Sequence, residues 1–536
     1  MRSWVRPGAV VLALLVAALV VPGGPARSDR AAAGGGTHAA RLAEIEAPYR
    51  LRTRGAQTIW VDPVRGDDDA PGATRATALR TLAAAWARVP AGTRLTRGIR
   101  ILITPGTLGE DAVPHYMEDR RGTADAPIVI AAADGPGTVT LPTLNVYGTD
   151  HLALVGVRIR ATGGDGFHCE QCDHLLLRRV TVRGADPESW RIGDLVKINQ
   201  SSSIFIERSV LSGASDNTLD LVAVQYASIR RNRISDAMDW CAYAKGGSAY
   251  IRVDGNRIFD CGVGGFTAGQ GTGFQFMVPP WIHYEAYDVR IVNNVIHDVW
   301  GAGVGVNGGY AVLIAHNTLA DVGSRSHLLE LVAGGRSCDG SPGDPGRGRC
   351  ATYRDQGGWG TSRVDDGTNH VRIPNRHVYV VRNLIVNRAG RPVGDQVLAV
   401  AAPFSGAAQD GSGVPVPTRF DTDLRFAGNV IVTGTDGLPL GIGDETGCAG
   451  GGSTCSAAKI RADNAIDTRA ARLRDAAGGD FRLVDRAVAI LALPELPAFA
   501  WDDLPAAIPA GRRDLAVPYD RVGAPRGTEA PAGAWA

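Results

Sequence analysis

Short runs of branched apolar residues alternate with polar ones along most of the chain, and Gly, Asn and Asp separate the runs. That is the period of strands with one buried face, closed by turns. The repeating unit lacks the amphipathic 3.6-residue period that helical repeats need.

A short phrase recurs on this background. It reads RNRISD at 231–236, GNRIFD at 255–260, NNVIHD at 293–298 and HNTLAD at 316–321, with weaker copies at 382–387 and 428–433. Upstream, VGVRIRA, RRVTVRG and ERSVLSG hold the same phase without the Asn. From Val157 through Val180, Ser209, Asn232, Asn256, Asn294 and Asn317 the steps are 23, 29, 23, 24, 38 and 23 residues. A base period near 23 with longer steps is that of a solenoid with loop insertions. Three short strands per coil predict an all-β, right-handed parallel β-helix. The repeated Asn tolerates a left-handed turn and can bond its counterpart one coil away, so Asn232, Asn256, Asn294 and Asn317 are read as architecture. Asp236, Asp260, Asp298 and Asp321 recur with them and take the same reading.

An open stack of strands needs caps. After the strand TIWVDP and a Gly/Asp loop, TALRTLAAAWARV places Leu79, Leu82, Ala83 and Trp86 on one helical face, which predicts an N-terminal capping helix. The β-helix is expected over 57–455, with insertions near 267–286 and 322–376. Residues 456–536 are read as closing coils or a cap. Residues 1–26 combine Arg2 and Arg6, an apolar run over Gly8–Val21 and Gly24-Pro25-Ala26, the layout of a signal peptide. Residues 27–56 are read as a leader and linker, loose over 27–46. No second apolar run of spanning length follows, so the expected product is secreted, extracellular or periplasmic, and monomeric.

Charge is balanced, with 56 Lys+Arg against 55 Asp+Glu, which argues against a nucleic-acid partner. Export permits disulfides among the eight cysteines. Cys338 and Cys350 share one loop, and Cys448 and Cys455 another. Cys241 and Cys261 are about one repeat apart. Cys169 and Cys172 form a lone C-x-x-C flanked by His168 and His174, read as a local disulfide or plain thiols rather than zinc.

Polar residues interrupt the strand pattern between residues 194 and 248. Lys197 lies nine residues before Ile206, and Asp220 nine before Ile229, so the two are expected side by side on adjacent coils. Lys245, eight before Val253, falls within a residue of that register. Val196, Ile198, Leu219 and Leu221 alternate with them and point inward, which turns the polar set outward. Asp194, Asp216, Asn217 and Asp220 then form an oxygen-rich cluster suited to calcium, which takes roughly six to eight oxygens.

The set Asp194, SDNTLD at 215–220 and the lysine of AKGG at 244–247 resembles the calcium-dependent pectate lyases of polysaccharide lyase family nine. WVDP, RTLAAAW and RGTADAPIVI fit the opening of that family, and the resemblance covers roughly residues 57–320. It implies that Asp194, Asp216, Asn217 and Asp220 hold Ca2+ and that Lys245 abstracts the proton α to a uronate carboxylate. Lys197 is the second candidate, as base or as carboxylate clamp. The sequence departs from the family at Asn217, where an aspartate is expected, and in the tight spacing of Lys245 after Asp220. Trp281, His283, Tyr284 and Glu285 are candidate sugar contacts on the first insertion. The leading expectation is a polysaccharide lyase acting on an acidic polysaccharide. A glycoside hydrolase, with Asp220 and Asp239 as the carboxyl pair, a uronate epimerase and a non-catalytic glycan-binding protein are the alternatives.

Overall fold

The computed structural model describes residues 36–189, 191–273, 276–277, 284–337, 371–391, 393–401, 421–443, 447–448, 453–503, 508–527 and 530–536. The signal-peptide reading and residues 27–35 of the leader lie outside these residues, as do Trp281, His283, Cys338 and Cys350.

Strands stack in register into three long parallel sheets of twelve, ten and twelve strands among the described residues. One coil shows the plan. Val196–Asn199 belongs to the ten-stranded sheet, here sheet B. Ser202–Glu207 follows in sheet A, and Val210–Ala214 in sheet C. Leu219–Val222 then returns to sheet B beside its predecessor. The hydrogen bonds run between coils, so every strand interior is satisfied by a neighbour of the same kind.

Alternation decides what fills the interior. Ile206, Ile229, Val253, Ile291, Ile314 and Val380 pair successively along sheet A and are all fully buried. Each stacks on its like one coil away, giving a continuous aliphatic core.

The Asn ladder occupies the corner between sheets A and C. The side-chain oxygen of Asn256 accepts from the backbone N–H of Asn232 at 2.9 Å and from its amide at 3.0 Å. The pattern repeats through Asn294, Asn317, Asn383, Asn429 and Asn464. The left-handed residue of this corner is the one before the Asn: Arg231, Gly255, Asn293, His316, Arg382 and Gly428 have φ between 52° and 68°. The Asn is therefore selected for its hydrogen bonds, and its neighbour carries the turn. Asp236, Asp260, Asp298 and Asp321 are themselves left-handed, at 52–58°, near the ends of the sheet C strands.

Two expectations change. The capping helix spans Leu82–Ala87, capped by the Thr81 side chain, and Leu79 instead bridges Val61 as strand. Residues 38–45, expected to be loose, form the helix His38–Ile45. Its Ile45 is fully buried in a cluster that includes Phe205 of sheet A and Tyr49 just past the helix.

The C-terminal region runs back along the outside of the rod. The hairpin Leu473–Asp475/Asp480–Leu483 lays Phe481 on His297 of sheet C at 4.5 Å between ring centroids. Farther on, Phe499 and Trp501 pack on Tyr379 and Tyr310 of sheet A. Arg512 ties Asp288 of sheet A to Glu46, just past the N-terminal helix. Parts of the outer surfaces of sheets A and C are thus covered by the chain itself, whereas the candidate residues sit on sheet B.

Among the described residues, disulfides join Cys169–Cys172, Cys241–Cys261 and Cys448–Cys455. Among the described residues no helix is long and apolar enough to cross a membrane.

Candidate active-site groove on sheet B

The outward row of sheet B runs Asn145, His168, Lys197, Asp220, Tyr243, Thr267, Gly305 and Glu330 on successive coils. Lys197 and Asp220 are direct neighbours, as the repeat phase predicts. Lys245 is not level with them. It pairs with Val222, two residues farther along the strand, and Tyr243 stands beside Asp220. A two-residue offset preserves the face, so Lys245 still points outward.

The turns from sheet C into sheet B supply the acids. Asp165, Asp194 and Asn217 each stand two residues before the paired Phe167, Val196 and Leu219, so they form a second row beside the first. The backbone N–H of Asp239 bonds the carbonyl of Asp216, which places those two side by side on adjacent coils. The opposite wall is the corner from sheet B to sheet A, where both insertions leave the rod. Their bases join in a small sheet of Gly271–Gly273, Gly334–Ser337 and Val371–Ile373.

Lys197 donates to Asp194 Oδ2 at 2.6 Å and lies 3.1 Å from Asp220 Oδ2. The amide of Asn217 donates to Asp194 Oδ1 at 3.1 Å and to Asp216 Oδ1 at 2.6 Å. Lys245 donates to Gln270 Oε1 at 2.9 Å and sits over the Tyr243 ring at 4.2 Å. Among the described residues it has no carboxylate at ion-pair distance.

Five carboxyl groups, those of Asp165, Asp194, Asp216, Asp220 and Asp239, thus crowd around two ammoniums. Burial and the Asp194 charge push Asp220 up to about 7. Desolvation and the charges of Asp194 and Asp239 push Asp216 up to about 6. Burial raises Asp239, which shares a hydrogen bond with Asp216, and lifts Asp165 to about 6. Asp194 goes the other way: burial opposes its charge, but Lys197 and its hydrogen bonds hold the carboxyl below the usual range. Burial also works against the Lys197 charge, yet Asp220, Asp194 and Asp165 together raise it, so its proton is firmly held. His168, buried beside Lys197, is pushed down to about 4 and stays neutral.

Such a cluster wants either protons or a cation. The donor set is all oxygen, which suits a hard cation. Asp220 Oδ1 and Asn217 Oδ1 are buried with no hydrogen-bond partner, a cost a bound cation would relieve. Asp194, Asp216, Asn217 and Asp220 therefore fit calcium chemically, with Lys197 already neutralising part of the charge between Asp194 and Asp220.

Two expected sugar contacts are misplaced. Tyr284 and Glu285 are buried at the corner of the rod, not exposed on a loop. Glu285 Oε2 accepts from the backbone N–H of Gly246 at 3.0 Å and from Thr272 at 2.7 Å, so it pins the turn after Lys245. Tyr284 packs against Tyr287 and Tyr310. Sequence reading also passed over Asp165, His168 and the exposed Trp300, which stands on the C-to-B turns with Arg325 stacked 3.8 Å from its ring.

One further signal is compositional. The chain has only three lysines, Lys197, Lys245 and Lys459, and the other 53 of its 56 basic residues (56 − 3) are arginine. Arginine cannot shed its proton in a protein, whereas lysine can. Two of the three lysines stand in this groove. The third makes a half-buried ion pair with Asp463 on a surface helix.

A family model described as "Right handed beta helix region" matches residues 145–336. No curated protein sequence matches the chain. Among solved structures, a rhamnogalacturonan lyase is similar at 13% identity, covering 70% of this chain and 87% of that one, with a TM-score of 0.41. Pectate lyase Pel9A is similar at 15% identity over 89% and 96% of the two chains, TM-score 0.37. PfbA, a surface adhesin of Streptococcus pneumoniae, is similar at 12% identity over 67% and 75%, TM-score 0.36. The in-register ladder and the family-model match together make this chain a right-handed parallel β-helix protein.

Proposed function

We propose that the groove on sheet B cleaves an acidic, uronate-containing polysaccharide by β-elimination, with Lys245 as the base. The observation that carries this reading is the contrast between the two groove lysines. Lys197 is doubly ion-paired and holds its proton, which suits a charge clamp. Lys245 leans on a neutral amide and an aromatic face, in a chain that elsewhere uses arginine for positive charge.

In this reading Lys245 removes the proton α to the uronate carboxylate. The electron pair forms the carbon–carbon double bond, and the bond to the leaving glycosidic oxygen breaks. Asp239, whose carboxyl is raised by burial, would return a proton to that oxygen. Glu285 and the Gly246-Gly247 turn fix the end of the Lys245 strand. Calcium held by Asp194, Asp216, Asn217 and Asp220 would supply neutralisation of the substrate carboxylate. We place the protein outside the cytoplasm, consistent with the disulfides among the described residues.

The test is incubation with pectate, alginate and glycosaminoglycans, with and without calcium, followed by ultraviolet absorbance of unsaturated ends. New reducing ends without ultraviolet absorbance would instead support hydrolysis, the second reading, favoured by the raised carboxyls of Asp216 and Asp239. Asp220, expected as one of the hydrolytic pair, is 1% exposed and tied to Lys197, which makes it a poor acid toward substrate.

A further inference from the structure

We propose that His151, Asp173 and His174 form a zinc-class metal site on the outer face of sheet A, with Glu44 as its outer partner. The site is independent of the groove and of the function assigned to it. His151 and His174 occupy left-handed positions (φ 52° and 57°) on neighbouring coils, next to the bridge between Asp150 and Asp173. Their rings stack with centroids 4.2 Å apart and planes 14° from parallel. One ligand atom from each of His151, Asp173 and His174 lies within 4.8 Å of the other two.

The contacts already resemble a coordination shell. His174 Nδ1 lies 2.9 Å from Asp173 Oδ2. Ligands about 2.0–2.2 Å from a tetrahedral zinc sit a little over 3 Å apart. The other nitrogen, His174 Nε2, faces Glu44 Oε2 at 3.3 Å. A metal-bound histidine typically gives its second N–H to such a carboxylate, which fixes tautomer and ring orientation. Asp173 Oδ1 is taken by Arg41 at 3.3 Å, so Oδ2 is the oxygen that faces the imidazoles. His151 Nδ1 has a long contact of 3.5 Å with the Tyr49 hydroxyl. Two imidazoles and one carboxylate suit zinc and its neighbours, not calcium, and three protein ligands leave a position for water. Because Arg41 and Glu44 lie on the helix His38–Ile45, a bound ion would fasten that helix to the rod.

The full chain is stripped with chelator and titrated with cobalt(II), reading the visible bands of a four-coordinate ion. One equivalent should bind, and zinc should displace it with loss of the bands. His151→Gln should abolish the bands in a protein whose circular dichroism is unchanged, and His174→Gln should do the same. Glu44→Gln should weaken binding roughly 10–100-fold. Asp216→Asn, in the groove, should leave the bands intact. Absence of the bands in the wild type, or their persistence at equal strength in His151→Gln, would overturn the proposal.

Discussion

At the scale of residues, position along the repeat separates scaffold from chemistry. Lys197 and Asp220 could be paired from sequence because the period between their coils is uniform. Lys245 was misplaced along its strand because sheet A is reached one residue later on that coil, through Gly246 and Gly247. Asp165 and His168 carry the same offsets, but their coil is 29 residues long and breaks the count. Tyr284 and Glu285 looked like loop residues. Their burial depends on pairing with a coil whose partner strand lies a variable distance away, which no local pattern reveals. A separate residue makes a clean pH prediction. Asp421 is buried and pushed up to about 7, with only Asn375 hydrogen bonds opposing the burial cost. Its folded value lies above the unfolded one, so this group costs stability progressively as pH rises from about 4 to 7. Denaturant midpoints of Asp421→Asn and wild type across pH 4–8 should show the variant gaining relative stability toward pH 8, on the order of 4 kcal/mol. An unchanged difference between pH 4 and 8 would contradict the assignment.

At the scale of elements, the Asn corner was the most legible feature because each rung repeats the same residue at nearly the same spacing. Its left-handed position was not legible, since Arg, Gly, Asn and His all fill it. The ladder predicts a definite cost for one missing rung. Asn294 accepts from the Asn256 backbone and amide, and donates to Val253 and Asn317. Asn294→Ala should leave several buried partners unsatisfied and lower stability by about 3 kcal/mol or more. Calorimetry measures this, and a loss below about 1 kcal/mol would mean that water replaces the rung. By contrast, exposed Asp→Asn changes outside the ladder should move stability by only a few tenths of a kcal/mol.

At the scale of the whole molecule, the chain ends decide which face stays open. The N-terminal helix, the C-terminal strap and the hairpin at 473–483 cover parts of sheets A and C, and the strap's anchor is Arg512. That residue bonds Glu46 and the fully buried Asp288 at once. Arg512→Ala should leave the buried Asp288 with only Arg290, 3.8 Å away, as a counter-charge and cost about 3 kcal/mol, with early proteolysis of the C-terminal segment on both sides of residue 512. The candidate residues line up on sheet B across several coils, where a long polymer could lie, and the central claim is that Lys245 acts there as a base. It is tested most directly by comparing wild type, Lys245→Arg and Lys197→Arg for ultraviolet-absorbing product from a uronate polymer in calcium. The account predicts product from wild type, loss of at least about 100-fold in kcat for Lys245→Arg with unchanged folding, and a smaller loss for Lys197→Arg. Equal turnover by wild type and Lys245→Arg would contradict it.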